Sequence, residues 1–167
     1  VYLLDHPTQY GTLQQRILSP ANGVASALSE SPLALDRLAI PGPGARIKLR
    51  TQRILAPARC KILSVSADRC EWRLALNKSL QLRLLLSSSA ALPLANSPCQ
   101  PGDIVTPKAT LFTLTPEALR QDPVLTLNLL SEQTKLGLFV HSGQHRAGED
   151  VLFSLIELSQ EVIEHDL

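Results

Sequence analysis

Apolar and polar positions alternate through the middle of the chain. Ala45-Arg46-Ile47-Lys48-Leu49-Arg50 sets small or apolar residues against basic ones, the pattern of a strand with one buried face. Ile54-Leu55, Lys61 to Val65, Trp72 to Leu76 and Leu80 to Leu84 read as further strands, with Asn77-Lys78-Ser79 as a hairpin turn between the last two. Leucine is abundant and favours helix, but turn signals recur every eight to ten residues and outweigh that preference. Ile17 to Val24 reads as strand, turn, strand about the tight-turn pair Asn22-Gly23. Ser29 to Asp36 has no clean period and reads as loop with a short helical turn, and Pro41-Gly42-Pro43-Gly44 as a sharp loop.

The second half continues in short strands. Pro101-Gly102-Asp103 is a turn signature, because proline presets one dihedral and glycine accepts the strained one. Ile104-Val105 and Leu111 to Leu114 follow as strands. Pro116 to Arg120 reads as a short helix, with Thr115 as its cap and proline at its first position. Val124 to Leu129 alternates again, and Leu136 to Val140 reads as a strand before a polar loop at Ser142 to Gly148. From Asp150 onward the period changes. Leu152, Leu155, Ile156, Ser159, Val162 and Ile163 fall at helical spacing, which predicts an amphipathic helix over 150–166. The fold class is therefore all-β, an antiparallel β-sandwich with a C-terminal amphipathic helix. The divisions are an N-terminal extension over 1–16, a β-domain over 17–131, and a C-terminal strand, loop and helix over 132–167.

Bulk properties narrow this further. The 167 residues suffice for one domain with a core, and 44% hydrophobic against 19% charged residues excludes a disordered chain. Only 4% are aromatic, so aliphatic side chains build that core. The net charge of +1 argues against a general nucleic-acid binder. Residues 46–83 nevertheless hold ten Lys and Arg against Asp68 and Glu71, while 131–167 hold seven acids against Lys135 and Arg146. Three cysteines without a C-x-x-C spacing fit a reducing compartment, hence a cytoplasmic protein. No run reads as a membrane span or a signal peptide.

Leu18 to Gly23, Pro41 to Gly44, Leu55 to Ile62, Pro101 to Val105 and Asp122 to Leu125, in this order and spacing, resemble the glucose-type enzyme IIA domain of the bacterial phosphoenolpyruvate-dependent sugar phosphotransferase system. Leu18-Ser19-Pro20-Ala21-Asn22-Gly23 is similar to that family's opening strand and turn. Pro41 to Gly44 sits where it has a glycine loop. Leu55-Ala56-Pro57-Ala58-Arg59-Cys60-Lys61-Ile62 resembles its V-A-P-x-x-G-x-V, with Cys60 in place of the turn glycine. Pro101 to Val105 resembles its E-G-D-x-V, and Asp122 to Leu125 its closing P-V strand. The resemblance spans Leu18 to Leu130 and implies a barrel-sandwich fold. It also implies two histidines on neighbouring strands facing one depression, one accepting a phosphoryl group and the other stabilising it. The accepting position corresponds to Leu85 and the supporting one to Cys70, and no histidine stands between His6 and His141. Asp36 and Ser66 stand where the family tends to carry exposed phenylalanines for docking. The resemblance thus implies a regulatory protein-binding module of sugar-phosphotransferase descent that has lost phosphotransfer, with no cofactor. Its partner is another protein or a second copy of the chain, met through the helix at 150–166 or the basic strands.

Other candidate chemistry competes with plainer roles. Cys70 between Arg69 and Arg73 has the setting of a reactive thiol, but a lone cysteine in a β-domain is more often core filler. Arg69, Arg73 and Arg83 form a candidate anion or partner patch, since guanidinium binds phosphate through two parallel bonds. His141 and His145 are spaced four apart, yet Gly143 and Gly148 argue for loop. No third ligand stands out, so no metal site is assigned and both read as surface histidines. Lys78 at a hairpin tip resembles the attachment lysine of biotinyl and lipoyl carrier domains, and a small-molecule or carbohydrate-related enzyme with an unrecognised site is the other alternative.

Overall fold

The computed structural model describes residues 1–6, 10–38, 41–88 and 97–159. The chain runs β1 (Tyr2–Leu3), β2 (Gly11–Leu18), β3 (Gly23–Ala27), a 3-10 turn (Leu28–Glu30), α1 (Ala34–Arg37), β4 (Gly44–Leu49), β5 (Arg53–Leu55), β6 (Cys60–Val65), β7 (Glu71–Asn77) and β8 (Leu80–Ser87). It continues with β9 (Ile104–Val105), β10 (Thr110–Thr113), α2 (Pro116–Leu119), β11 (Val124–Ser131), β12 (Leu136–Val140), β13 (Gly143–His145) and β14 (Val151–Leu158). Eight strands form one sheet in the order β13-β3-β4-β11-β8-β7-β6-β9. Four form a second, β1-β12-β14-β2, and β10 pairs with β5. Every pairing is antiparallel except β1 with β12. This is the predicted all-β architecture.

Local chemistry explains the breaks between strands. Gly102 has φ +95°, which side chains rarely adopt, and its N–H donates to the Ile62 carbonyl at 2.7 Å. Asp103 Oδ2 accepts the Gln100 N–H at 2.9 Å and closes the turn that delivers β9 to the edge of β6. A Cβ on Gly23 would run into the Lys48 carbonyl, so only glycine lets β3 lie this close to β4. Thr115 Oγ1 accepts the Ala118 N–H at 3.1 Å and Pro116 opens α2, as predicted.

Both sheets supply the core. Ile47, Ile62, Trp72, Leu74, Leu82, Leu84, Leu125 and Leu127 of the eight-stranded sheet are buried with Ile17, Phe153 and Leu155 of the four-stranded one. Trp72 stacks on Phe112 of β10 at 5.1 Å between ring centroids, and its Nε1 donates to the Arg69 carbonyl at 3.0 Å.

The predicted C-terminal helix is replaced by strand over residues 151–158; the remainder of that prediction, 160–166, lies outside the described residues. β14 pairs with both β12 and β2 and is buried on both faces, by Leu152, Ser154 and Ile156 on one side and Phe153 and Leu155 on the other. A strand buried on both faces needs a continuous apolar run, and such a run also contains the positions three and four apart that mimic a helical stripe. The divisions at 16/17 and 131/132 do not coincide with structural breaks. The first falls inside β2, and the chain after 132 supplies β12 and β14 of one sheet and β13 of the other.

Candidate functional site

Of the residues singled out from the sequence, the outer face of the eight-stranded sheet carries Leu85, Arg73 and Arg83. Core residues occupy even positions of β7 and β8 (Trp72, Leu74, Leu82, Leu84, Leu86), so odd positions face outward. Register then lines up Glu71, Leu85, Thr126 and Arg46 in one row across β7, β8, β11 and β4. The next row holds Arg73, Arg83, Asn128 and Gly44.

An ion-pair network occupies the centre of this face. Arg83 Nε donates to Glu71 Oε1 at 2.9 Å and its Nη1 to Asn128 Oδ1 at 3.1 Å. Asn128 is 1% exposed and passes its Nδ2–H to the Gly42 carbonyl at 2.9 Å, which ties the Pro41-Gly42-Pro43 loop down. Arg73 Nε lies 3.6 Å from Glu71 Oε1. The Glu71 carboxyl is held below its ordinary range, chiefly by the Arg83 hydrogen bond, with the charges of Arg83 and Arg73 adding and burial opposing.

Leu85 stands on this outer face. Cys70 does not. Its carbonyl accepts the Leu86 N–H at 2.8 Å, placing it in register with buried Leu86, and its side chain packs against the core. The residue directly across from Leu85 is Glu71. Burial raises the Cys70 thiol's pKa and the nearby Asp68 charge adds to this, the opposite of an activated thiolate. Of the three arginines, Arg73 and Arg83 meet on Glu71. Arg69 belongs to the preceding turn, at φ 59°, where its carbonyl serves Trp72. Ser66 donates to Asp68 Oδ1 at 2.5 Å within that same turn, and the side chain of Asp36 lies outside the described set.

Glu71 and Asn128 are the members that sequence reasoning missed. The alternation of Trp72 and Leu74 carried the signal, because it sends Glu71 outward. Asn128 was signalled by being the one amide in the closing strand, between Leu127 and Leu129.

His145 is buried and His141 half-buried, so neither is the surface histidine expected. His145 is 7% exposed with its Nδ1 unpartnered, and His141 is half-buried with Nε2 2.8 Å from Ser154 Oγ. The His141 ring meets Phe139 edge-on at 4.8 Å, and its pKa is lowered by burial first, then by His145 and Arg16. Among the described residues no three His, Cys, Asp or Glu side chains gather as a metal site. Lys78 stands exposed in the two-residue turn between β7 and β8. No helix among the described residues is long and apolar enough to cross a membrane.

No family model and no curated protein matches the sequence. The fold does have a counterpart among solved structures. Glucose permease IIA from Mycoplasma capricolum superposes with a TM-score of 0.63 over 84% of this chain and 94% of that one, at 15% sequence identity. The chain folds like a glucose permease IIA. At that identity the likeness speaks for the scaffold, in agreement with the resemblance carried by the turn motifs.

Proposed function

We propose that the chain is a protein-binding regulatory module on an enzyme IIA scaffold and carries no phosphoryl group itself. The observation that supports this reading is the outer face of β7 and β8, where Leu85 lies opposite Glu71 and the guanidinium of Arg83 is already engaged. Phosphoryl acceptance needs a nucleophile with an open approach. Leucine offers none, and a carboxylate beside it would repel the incoming phosphate. Cys70 turns inward with a raised pKa, so it does not substitute.

The three free thiols accord with a cytoplasmic setting, where the sugar-phosphotransferase proteins also work. Exposed Lys48, with Arg46 and Arg73, leaves the outer face basic enough to attract an acidic protein surface. The test is incubation with phosphoenolpyruvate and the general phosphotransferase proteins. The expected outcome is no stable label on this chain under conditions that label a working enzyme IIA. Stoichiometric labelling, whether on a histidine or on Cys70, would overturn the reading.

A further inference from the structure

The segment leading into β6 touches β2 at Leu18. There the Leu18 N–H donates to the Pro57 carbonyl at 2.9 Å, so the chain entering β6 starts along the outer edge of β2. Beside this contact lies a groove of about 550 Å³, lined by Gln15 of β2, by Cys60 and Lys61 of β6 and by the end of β7. Arg59, Lys61 and Lys78 line it together with Leu76 and the 62% exposed Ile104, and no acid does. None of the three cations meets a carboxylate among the described residues. β2 pairs only with β14, so its outer edge from Gly11 to Arg16 carries no strand among the described residues. That edge contains neither proline nor lysine, two of the usual guards against strand addition, and its one irregularity is the register shift at Gln14.

We propose that this groove binds an acidic peptide segment in extended form, added to the free edge of β2. Its carboxylates face Arg59, Lys61 and Lys78, and an aliphatic side chain rests on Ile104. Strand addition supplies affinity through the main chain, while the flanking cations and the apolar wall select the sequence. No Phe, Tyr or Trp lines the groove, so it offers no stacking platform for nucleic-acid bases. The site names a partner chemistry for the protein-binding reading, on which it rests only in taking a protein as the partner. Labelling in the phosphotransfer assay would sink that reading and leave peptide binding intact.

The probe is a fluorescent peptide of alternating Glu and Val with the length of β2, eight residues, titrated against the full chain by anisotropy. Its counterparts are the Lys/Val peptide, a Glu/Val peptide N-methylated at alternate residues, and a single-stranded oligonucleotide. The expected result is binding of the Glu/Val peptide alone. The combined Arg59→Gln, Lys61→Gln and Lys78→Gln variant should weaken it about tenfold or more, as three exposed ion pairs are lost. All three side chains are exposed, so the variant should keep the wild-type circular dichroism spectrum. Equal binding of the Lys/Val peptide or the oligonucleotide overturns the proposal. So does an affinity unchanged by N-methylation or by the triple variant, or amide chemical-shift changes that bypass Gly11 to Leu18.

Discussion

Glu71 faces Leu85 across the β7–β8 ladder, and Arg83, two residues before Leu85, donates Nε to the Glu71 carboxylate at 2.9 Å. The same guanidinium satisfies Asn128, which is 1% exposed. Arg83→Ala therefore removes one partner from a carboxylate and one from a buried amide. The expected loss is about 1–3 kcal/mol of stability in urea denaturation, most of it from the stranded Asn128 Oδ1. Arg83→Lys should recover little of it, because an ammonium on a flexible stem does not reproduce the planar fork. The acid limb gives a second readout. The folded pKa of Glu71 is depressed, so its contribution is present above the unfolded carboxylate value of about 4.5 and is lost as pH falls through the folded value. The stability difference between wild type and Glu71→Gln should accordingly close in acid. A difference that persists unchanged at low pH would mean the ion pair contributes nothing.

β14 makes the C-terminal segment part of the core. Phe153→Ala should cost about 3–5 kcal/mol, since Phe153 is fully buried between β12 and β2. Truncation after Gly148 removes an inner strand of the four-stranded sheet, the one that pairs with β2 and covers Ile17, so the product should not fold cooperatively. Retention of a cooperative thermal transition near the wild-type midpoint would contradict this placement.

The sequence was most readable where one face of a strand is buried and the other wet. β4, β7 and β8 alternate cleanly, and Thr115-Pro116 and Pro101-Gly102-Asp103 have local chemistry that fixes a cap and a turn whatever surrounds them. β14 was misread because both its faces are covered, which erases the period of two. His145 was misread because polar neighbours and glycines suggested a loop, whereas its burial follows from pairing opposite Gly23 on β3, a contact far away in sequence. The candidate site turned on a single residue. A shift from Cys70 to Glu71 changes which face of the sheet a side chain occupies, and only the long-range register with Leu85 decides between them.

His141 should make the protein acid-sensitive above the carboxylate range. Its folded pKa is lowered from the ordinary imidazole value of about 6.5, by burial foremost, while the unfolded chain titrates near that value. The unfolded state therefore binds the proton first as pH drops. Stability is unaffected by this group above about pH 6.5 and is lost progressively as pH falls from there toward the folded pKa. Denaturation at a series of pH values should show wild type losing more stability than His141→Gln between neutral pH and pH 5. An imidazole titration by NMR with its midpoint at or above the ordinary value would refute this.

The register of the outer face can be read with a metal. Directly opposed residues of an antiparallel pair have Cβ atoms about 4.5–5.5 Å apart, close enough for two imidazoles to share one ion. The Glu71→His, Leu85→His variant should therefore gain a zinc or nickel site absent from wild type. The metal should raise its melting temperature in proportion to the logarithm of free metal concentration. Cys70→His with Leu85→His should gain no such response, because position 70 is in register with buried Leu86 on the core side. It should also be less stable than wild type, since a larger polar ring would enter the packing beneath β8. Metal stabilisation of the 70/85 pair but not of the 71/85 pair would reverse the facing of Glu71 and Cys70, and with it the supporting argument for a scaffold without phosphotransfer.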